Sequence, residues 1–180
     1  MPTCAEARPG TCPHCGAAAR PVGGRLVVVG HGVIERQVRG PAEADGTPES
    51  LVVGVRRYRC RACKAVLEVG PRGLAHGRWY GAGAIAVALA AYAGGETSVS
   101  VRRRVSPDGT FGASARERWA TLVRWVDAAS EGRLFAVSGL GGLPRRRVAE
   151  HVVLALAGRG GRDLGGDLLE AAFTGAAIAA

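Results

Sequence analysis

Two pairs of cysteines carry the clearest chemistry in this sequence, CPHCG at residues 12–16 and CRACK at residues 60–64. Two residues between thiolates let a tight turn aim both sulfurs at one ion, while turn amides soften their charge. Two such knuckles, Cys12 with Cys15 and Cys60 with Cys63, make a tetrahedral four-sulfur site. One structural Zn2+ is the default occupant, because four protein sulfurs leave no position open for a reacting water. An iron–sulfur cluster would use the same ligand type and stays open. A redox CxxC sits at the start of a helix in a thioredoxin-like unit, which the strand-rich surroundings here do not supply. Cys4 reads as a spare thiol on a loose terminus, and His14 and His31 as solvated or structural side chains.

The second knuckle is reached through a run of cations. Arg56, Arg57, Arg59, Arg61, Lys64 and Arg72 face only Glu68 between residues 51 and 72. Alternation along a strand would put alternate cations on one exposed face with Tyr58 between them, an arrangement suited to phosphate. The whole chain has 24 basic and 15 acidic residues, a formal charge of +9, and Lys64 is its only lysine. Arginine's planar fork suits phosphates and base edges, which favours a polyanionic partner; an arginine-rich genome composition is the plainer cause of the same bias.

Elements must position these groups. Residues 25–29, 33–38, 51–58 and 65–69 read as strands of a small antiparallel sheet, with a turn-rich acidic loop at 40–49. From Gly77 the period changes. Residues 82–92 form an Ala-rich buried helix that stops at Gly94 and Gly95, and a short helix runs from Thr97 or Ser98 through Arg104. The third helix, 115–129, starts with Ser114 and Glu117 as a capping box. Trp119, Leu122, Val123 and Val126 then repeat at core spacing, with Arg118 and Trp125 on a flank. Helices are also expected from Pro144 to about Ala157 and over 167–173, and the terminal GAAIAA carries little information.

The fold class expected is therefore α+β, a small antiparallel zinc ribbon followed by an all-α, helix-turn-helix-like helical domain. Its parts are a flexible N-terminus (1–10), the ribbon (11–71), a trihelical unit (76–130) and a C-terminal helical segment (131–180). In a trihelical unit the third helix enters the major groove, making Arg116, Arg118, Thr121 and Arg124 candidate readers. Arg102, Arg103 and Arg104 would face backbone phosphate. The connection at 105–114 is longer than the three- or four-residue turn of a strict helix-turn-helix. A plain helical bundle with a charged face is the alternative.

No nucleotide-binding loop, nucleophile elbow or HExxH motif is present, and His14, His31, His76 and His151 are scattered. Enzymatic activity is not expected. The longest apolar stretch, 82–93, falls short of the ~20 residues that cross a bilayer, and the start is polar, so a cytoplasmic protein without a membrane partner is expected.

The segments CPHCG and VRRYRCRACKAVLEV resemble the N-terminal zinc ribbon of bacterial insertion-sequence transposases. RWYGAGAIAVALAAYAGG, SVSVRRRVSP and ERWATLVRWV are similar to the helix-turn-helix that follows it. The likeness covers roughly residues 10–130. It implies that Cys12, Cys15, Cys60 and Cys63 are zinc ligands, that 115–129 is the recognition helix, and that double-stranded DNA at element ends is the partner. The residues after 130 have neither the length nor the strand pattern of the transposase catalytic domain. The resemblance therefore implies an accessory or remnant protein, nucleoid-associated when bound, working beside a separate catalytic transposase. A protein-interaction module or a transcriptional regulator outside transposition is the competing reading.

Overall fold

The computed structural model describes residues 5–75, 77–108, 118–161 and 167–179. Its described elements are three strands, β1 (Val28–Gly40), β2 (Glu49–Cys60) and β3 (Val66–Val69), and five helices. These are α1 (Ala82–Ala93), α2 (Ser98–Val105), α3 (Ala120–Ser130), α4 (Arg145–Arg159) and α5 (Leu168–Ala179). The architecture is α+β, with an antiparallel sheet in the order β1-β2-β3. Two compact units divide the chain, one of residues 1–37 and 52–71, the other of residues 38–51 and 72–180.

In the first unit the sequence reading of separate strands at 25–29 and 33–38 gives way to one strand, β1. The glycines at 30 and 32 do not break it; Gly32 takes φ +93°, open to a residue without Cβ. Strand β2 pairs with β3 so that Tyr58 faces Leu67, Arg57 faces Glu68 and Arg59 faces Val66. The period of two sends Tyr58 and Cys60 to one side and Arg57 and Arg59 to the other. Tyr58 is fully buried with Cys12, Ala19, Val28, Cys60 and Leu67, which form the core of this unit. That corrects the expectation of Tyr58 between cations on an open face: its side of the strand is the inside. Val28, Tyr58 and Leu67 are the large buried apolar side chains of this cluster among the described residues, worth together roughly 5–9 kcal/mol.

The second unit is a helical bundle. Helix α1 is apolar nearly all round, and its residues from Ala82 to Leu89 are buried, as its Ala-rich sequence implies. It packs against α2, α4 and α5, while α4 packs against α5 and α3. The segment 131–180, read from sequence as a C-terminal helical part, thus shares one core with the three earlier helices. Val148, Val152 and Leu156 of α4 and Ala172 and Ala176 of α5 belong to one cluster with Ile85, Leu89, Leu122 and Trp125. Residues 175–179 of the C-terminal GAAIAA are helical, and their small side chains let two backbones meet. A Cβ on Gly175 would overlap the carbonyl oxygen of Leu156, and one on Gly160 that of Ala171.

Helix α2 begins as expected, with the Thr97 hydroxyl accepting the Ser100 N–H at 3.2 Å. The capping box at Ser114 and Glu117 lies outside the described residues. Within α3 the buried stripe is Leu122, Trp125, Val126 and Ala129, so Trp125 lies in the core and not on the flank. Val123 is only half-buried. Trp119, Trp125 and Tyr80 meet edge to face with centroids 5.0–5.8 Å apart, a packing that draws the larger ring inward. Among the described residues no helix is long and apolar enough to cross a membrane.

The glycine seam makes a direct prediction. Gly175→Val should force α4 and α5 apart and destabilise the second unit by about 1–3 kcal/mol or more, read as a lowered denaturant midpoint of helical circular dichroism. An unchanged midpoint would mean that the two helices do not meet at this point.

Candidate metal centre and arginine-lined pocket

The two knuckles are built alike. In the first, Cys12 N–H donates to the Ala17 carbonyl at 2.9 Å and Gly16 N–H to the Cys12 carbonyl at 2.8 Å. In the second, Cys60 N–H donates to the Ala65 carbonyl at 2.9 Å and Lys64 N–H to the Cys60 carbonyl at 2.9 Å. Each loop closes through a residue with left-handed backbone, Gly16 at φ +71° and Lys64 at φ +66°. Glycine takes that conformation freely, whereas lysine does so at a cost of about 1–2 kcal/mol. The long gap between the pairs is bridged by main chain: Val27 N–H donates to Ala19 and Arg61 N–H to Val27, both at 2.8 Å.

These turns bring the four sulfurs of Cys12, Cys15, Cys60 and Cys63 within 4.8 Å of one another, where they could hold a metal ion. Cys12 and Cys63 sulfurs are 3.7 Å apart, and those of Cys15 and Cys60 3.8 Å. A disulfide would require about 2.05 Å. Sulfurs at about 2.3 Å from one tetrahedral ion stand about 3.8 Å from each other, so the spacing fits a single ion. An iron–sulfur cluster divides its thiolates among several irons and holds them farther apart. Cys12 and Cys60 are buried and Cys15 and Cys63 exposed, so one ligand of each pair is also core.

The thiols oppose one another electrostatically. The Ala17 backbone hydrogen bond lowers Cys15, but hydrogen bonding with Cys63, burial, Cys12 and Cys60 outweigh it and push it up to about 12. Cys60 is lowered to about 7, chiefly by the Cys63 backbone N–H, with the Ala62 N–H and the Cys63 and Cys12 thiols assisting. A divalent cation relieves this sharing of protons by replacing them.

The predicted contact residues fall into several groups. Arg59 and Arg61 are exposed in the first unit, and their guanidiniums make no ion pair or hydrogen bond among the described residues. Arg57 stands opposite the carboxylate of Glu68 in register. Arg56 is half-buried, with the strand parity of Tyr58. In the second unit Arg103 and Arg118 are exposed. Arg104, expected on phosphate, is instead paired with Glu96 at 2.8 Å; the Glu96 carboxyl is held low by Ser100 and by Arg104. Arg116 lies outside the described residues, as do Cys4 and His76. His14, His31 and His151 are exposed, and His151 Nδ1 lies 2.8 Å from the Arg147 carbonyl.

Arg102, Thr121 and Arg124 line one open pocket of about 470 Å³. Sequence reasoning missed its other members, Arg39, Arg78 and Trp79, because they come from a strand end and a loop far from α3 in the chain. The one available signal was the RWY triplet at residues 78–80, an aromatic pair beside a cation.

Cys60→Ser should abolish stoichiometric metal binding and unfold the first unit while the helical unit keeps its melting transition, measured by metal analysis and thermal circular dichroism. Binding must also weaken as pH falls, because protons return to thiols that the metal needs as thiolates; calorimetry in buffers of different ionisation enthalpy should register proton release, including that of Cys15. Full metal content in the Cys60→Ser chain would remove the four-sulfur assignment. No family model, curated protein or solved structure matches the chain.

Proposed function

We propose that this is a zinc-stabilised protein that binds double-stranded DNA, with no catalytic role of its own. The observation that carries the reading is the exposed Arg59–Arg61 edge beside the four-sulfur site. The metal would fix the hairpin that holds these cations, and no carboxylate among the described residues neutralises either of them. Elsewhere Arg104, Arg133, Arg145 and Arg147 are paired with carboxylates, so the two ribbon arginines stand apart from the general arginine bias of the composition. Cys12, Cys15, Cys60 and Cys63 would hold the zinc, whose chemistry here is to fix structure. Thr121 and Arg124 of α3, with Arg118 just before it, would supply the base contacts in a helix-turn-helix mode, and Arg103 a phosphate contact.

The transposase resemblance narrows the duplex to the ends of a mobile element and adds a separate catalytic transposase as second partner. A specific observation also favours a protein-docking reading. Val22, Val33, Val52 and Val66 are large apolar side chains left exposed in the first unit, the kind of surface that partners cover.

Binding of the metal-loaded chain to random duplex DNA should weaken steeply with salt, log K falling against log salt with slope about −0.9 per phosphate neutralised. The double variant Arg59→Ala, Arg61→Ala should flatten that slope by about 2 and lower affinity at least tenfold at low salt. Duplex affinity untouched by both substitutions sinks the ribbon interface, and salt-resistant affinity for a protein without duplex binding selects the docking reading.

A further inference from the structure

The four sulfurs of the first unit differ in ways that a bound ion does not use. Cys12 and Cys60 are 1% and 0% exposed and belong to the core with Tyr58 and Leu67, whereas Cys15 and Cys63 are open to solvent. The contacts at 3.7 Å and 3.8 Å, Cys12 with Cys63 and Cys15 with Cys60, both run from one knuckle to the other. Each joins a buried sulfur to an exposed one. A tetrahedral ion is indifferent to such pairing, because its four ligands are equivalent. An oxidant is not: it meets the exposed sulfur first and leaves the buried one reduced and able to attack.

The main chain keeps these pairs in place. Each knuckle is closed by two backbone hydrogen bonds of 2.8–2.9 Å, and the Arg61 N–H ties the second knuckle to the Val27 carbonyl at 2.8 Å. A bond needs the sulfurs to approach to about 2.05 Å. That closure falls to the side chains of exposed Cys15 and Cys63, because Cys12 and Cys60 are held in the core. The paired residues stand 51 and 45 positions apart in sequence, so bonds between them close long loops and constrain the unfolded chain. A bond inside one CxxC would constrain little and would leave the two knuckles unconnected.

We propose that the four-cysteine site is a switch for hydroperoxides: oxidation links Cys12 to Cys63 and Cys15 to Cys60, and the two bonds take over from the ion in joining the knuckles. The Cys63 thiolate attacks one peroxide oxygen, the O–O bond breaks, and with one proton the products are a sulfenic acid and water. The Cys12 thiolate then attacks that sulfur, the S–O bond breaks, and the departing hydroxide takes a proton to become a second water. Two electrons pass from the sulfur pair to one peroxide, and Cys15 with Cys60 repeats the sequence on another. Four thiolates, two peroxides and four protons thus give two disulfides and four waters, and a divalent ion held by those thiolates is released. The switch rests on the four-sulfur part of the proposed function, not on duplex binding. Arg59 and Arg61, on either side of Cys60, keep their framework in both states.

The test treats the zinc-loaded full chain with hydrogen peroxide, follows released zinc with an indicator dye, and maps the bonds by tryptic digestion without reductant and mass spectrometry. Trypsin cuts after Arg61, between Cys60 and Cys63. A bond across the knuckles therefore ties either fragment to the peptide of Cys12 and Cys15, and a bond within the second knuckle ties the two fragments to each other. Release of the zinc together with Cys12–Cys63 and Cys15–Cys60 bonds is expected, and a Cys4→Ser chain should give the same pattern. Dimedone, which captures sulfenic acids, should label Cys15 or Cys63 first. Hydrogen exchange of β2 and β3 amides should stay within about threefold of the zinc-loaded rate after oxidation, and rise about tenfold or more in the reduced, metal-stripped chain. Bonds confined within the knuckles, first labelling at Cys12 or Cys60, or exchange in the oxidised chain as fast as in the stripped one would each overturn the switch. A reduced chain that takes up no zinc yet forms both cross-knuckle bonds strikes the zinc reading alone, and a zinc-holding chain that never forms them strikes the switch alone.

Discussion

Everything in the first unit depends on four sulfurs being held at the spacing of one ion. Its buried apolar core is small, with Val28, Tyr58 and Leu67 in one cluster and Val55 beside them in the chain, against a backbone ordering cost of about 1–2 kcal/mol for each residue. Binding of a structural zinc is worth ~10–16 kcal/mol in small peptides, more than this core can contribute. Cys12 and Cys60 belong both to the cluster that could hold a metal ion and to the buried core. The cysteine cluster and the core therefore share residues, and β2 delivers Cys60 to the cluster directly after the four positions paired with β3.

The helical unit has the opposite economy. Its core is large, because α1 is wrapped by α2, α4 and α5 and the rings of Trp119, Trp125 and Tyr80 meet edge to face. Small residues bring α4 and α5 close enough for glycine to lie against backbone. Its arginines can then be used on the outside: Arg145 bridges to Asp127 at 3.0 Å, and Arg146 donates to the carbonyls of Tyr92 and Glu96. Arg39, Arg78, Arg102 and Arg124 instead gather along one open pocket, where Arg39 pairs with Asp108.

Local chemistry was legible in the sequence, and long-range assembly was not. The cysteine spacing anticipated the four-sulfur cluster, and helix limits at Gly94 and Thr97 agree closely with α1 and α2, because caps and ligand turns are decided within a few residues. Trp125 was misread because helical periodicity cannot say which neighbouring face another ring will fill. The pocket was invisible for a related reason: Arg39, Trp79 and Arg124 are brought together only by tertiary packing. Arg104 looked like a phosphate contact until the fold set Glu96 beside it.

Lys64 gives one of these features a different significance. It is the only lysine in 180 residues, and it closes the second knuckle in a left-handed turn. A protease that cuts after lysine finds its one internal target inside the second cysteine knuckle. Such enzymes bind extended chain, which this turn denies them for as long as the knuckle stays closed. The integrity of a single peptide bond thus becomes a gauge of how often the knuckle opens.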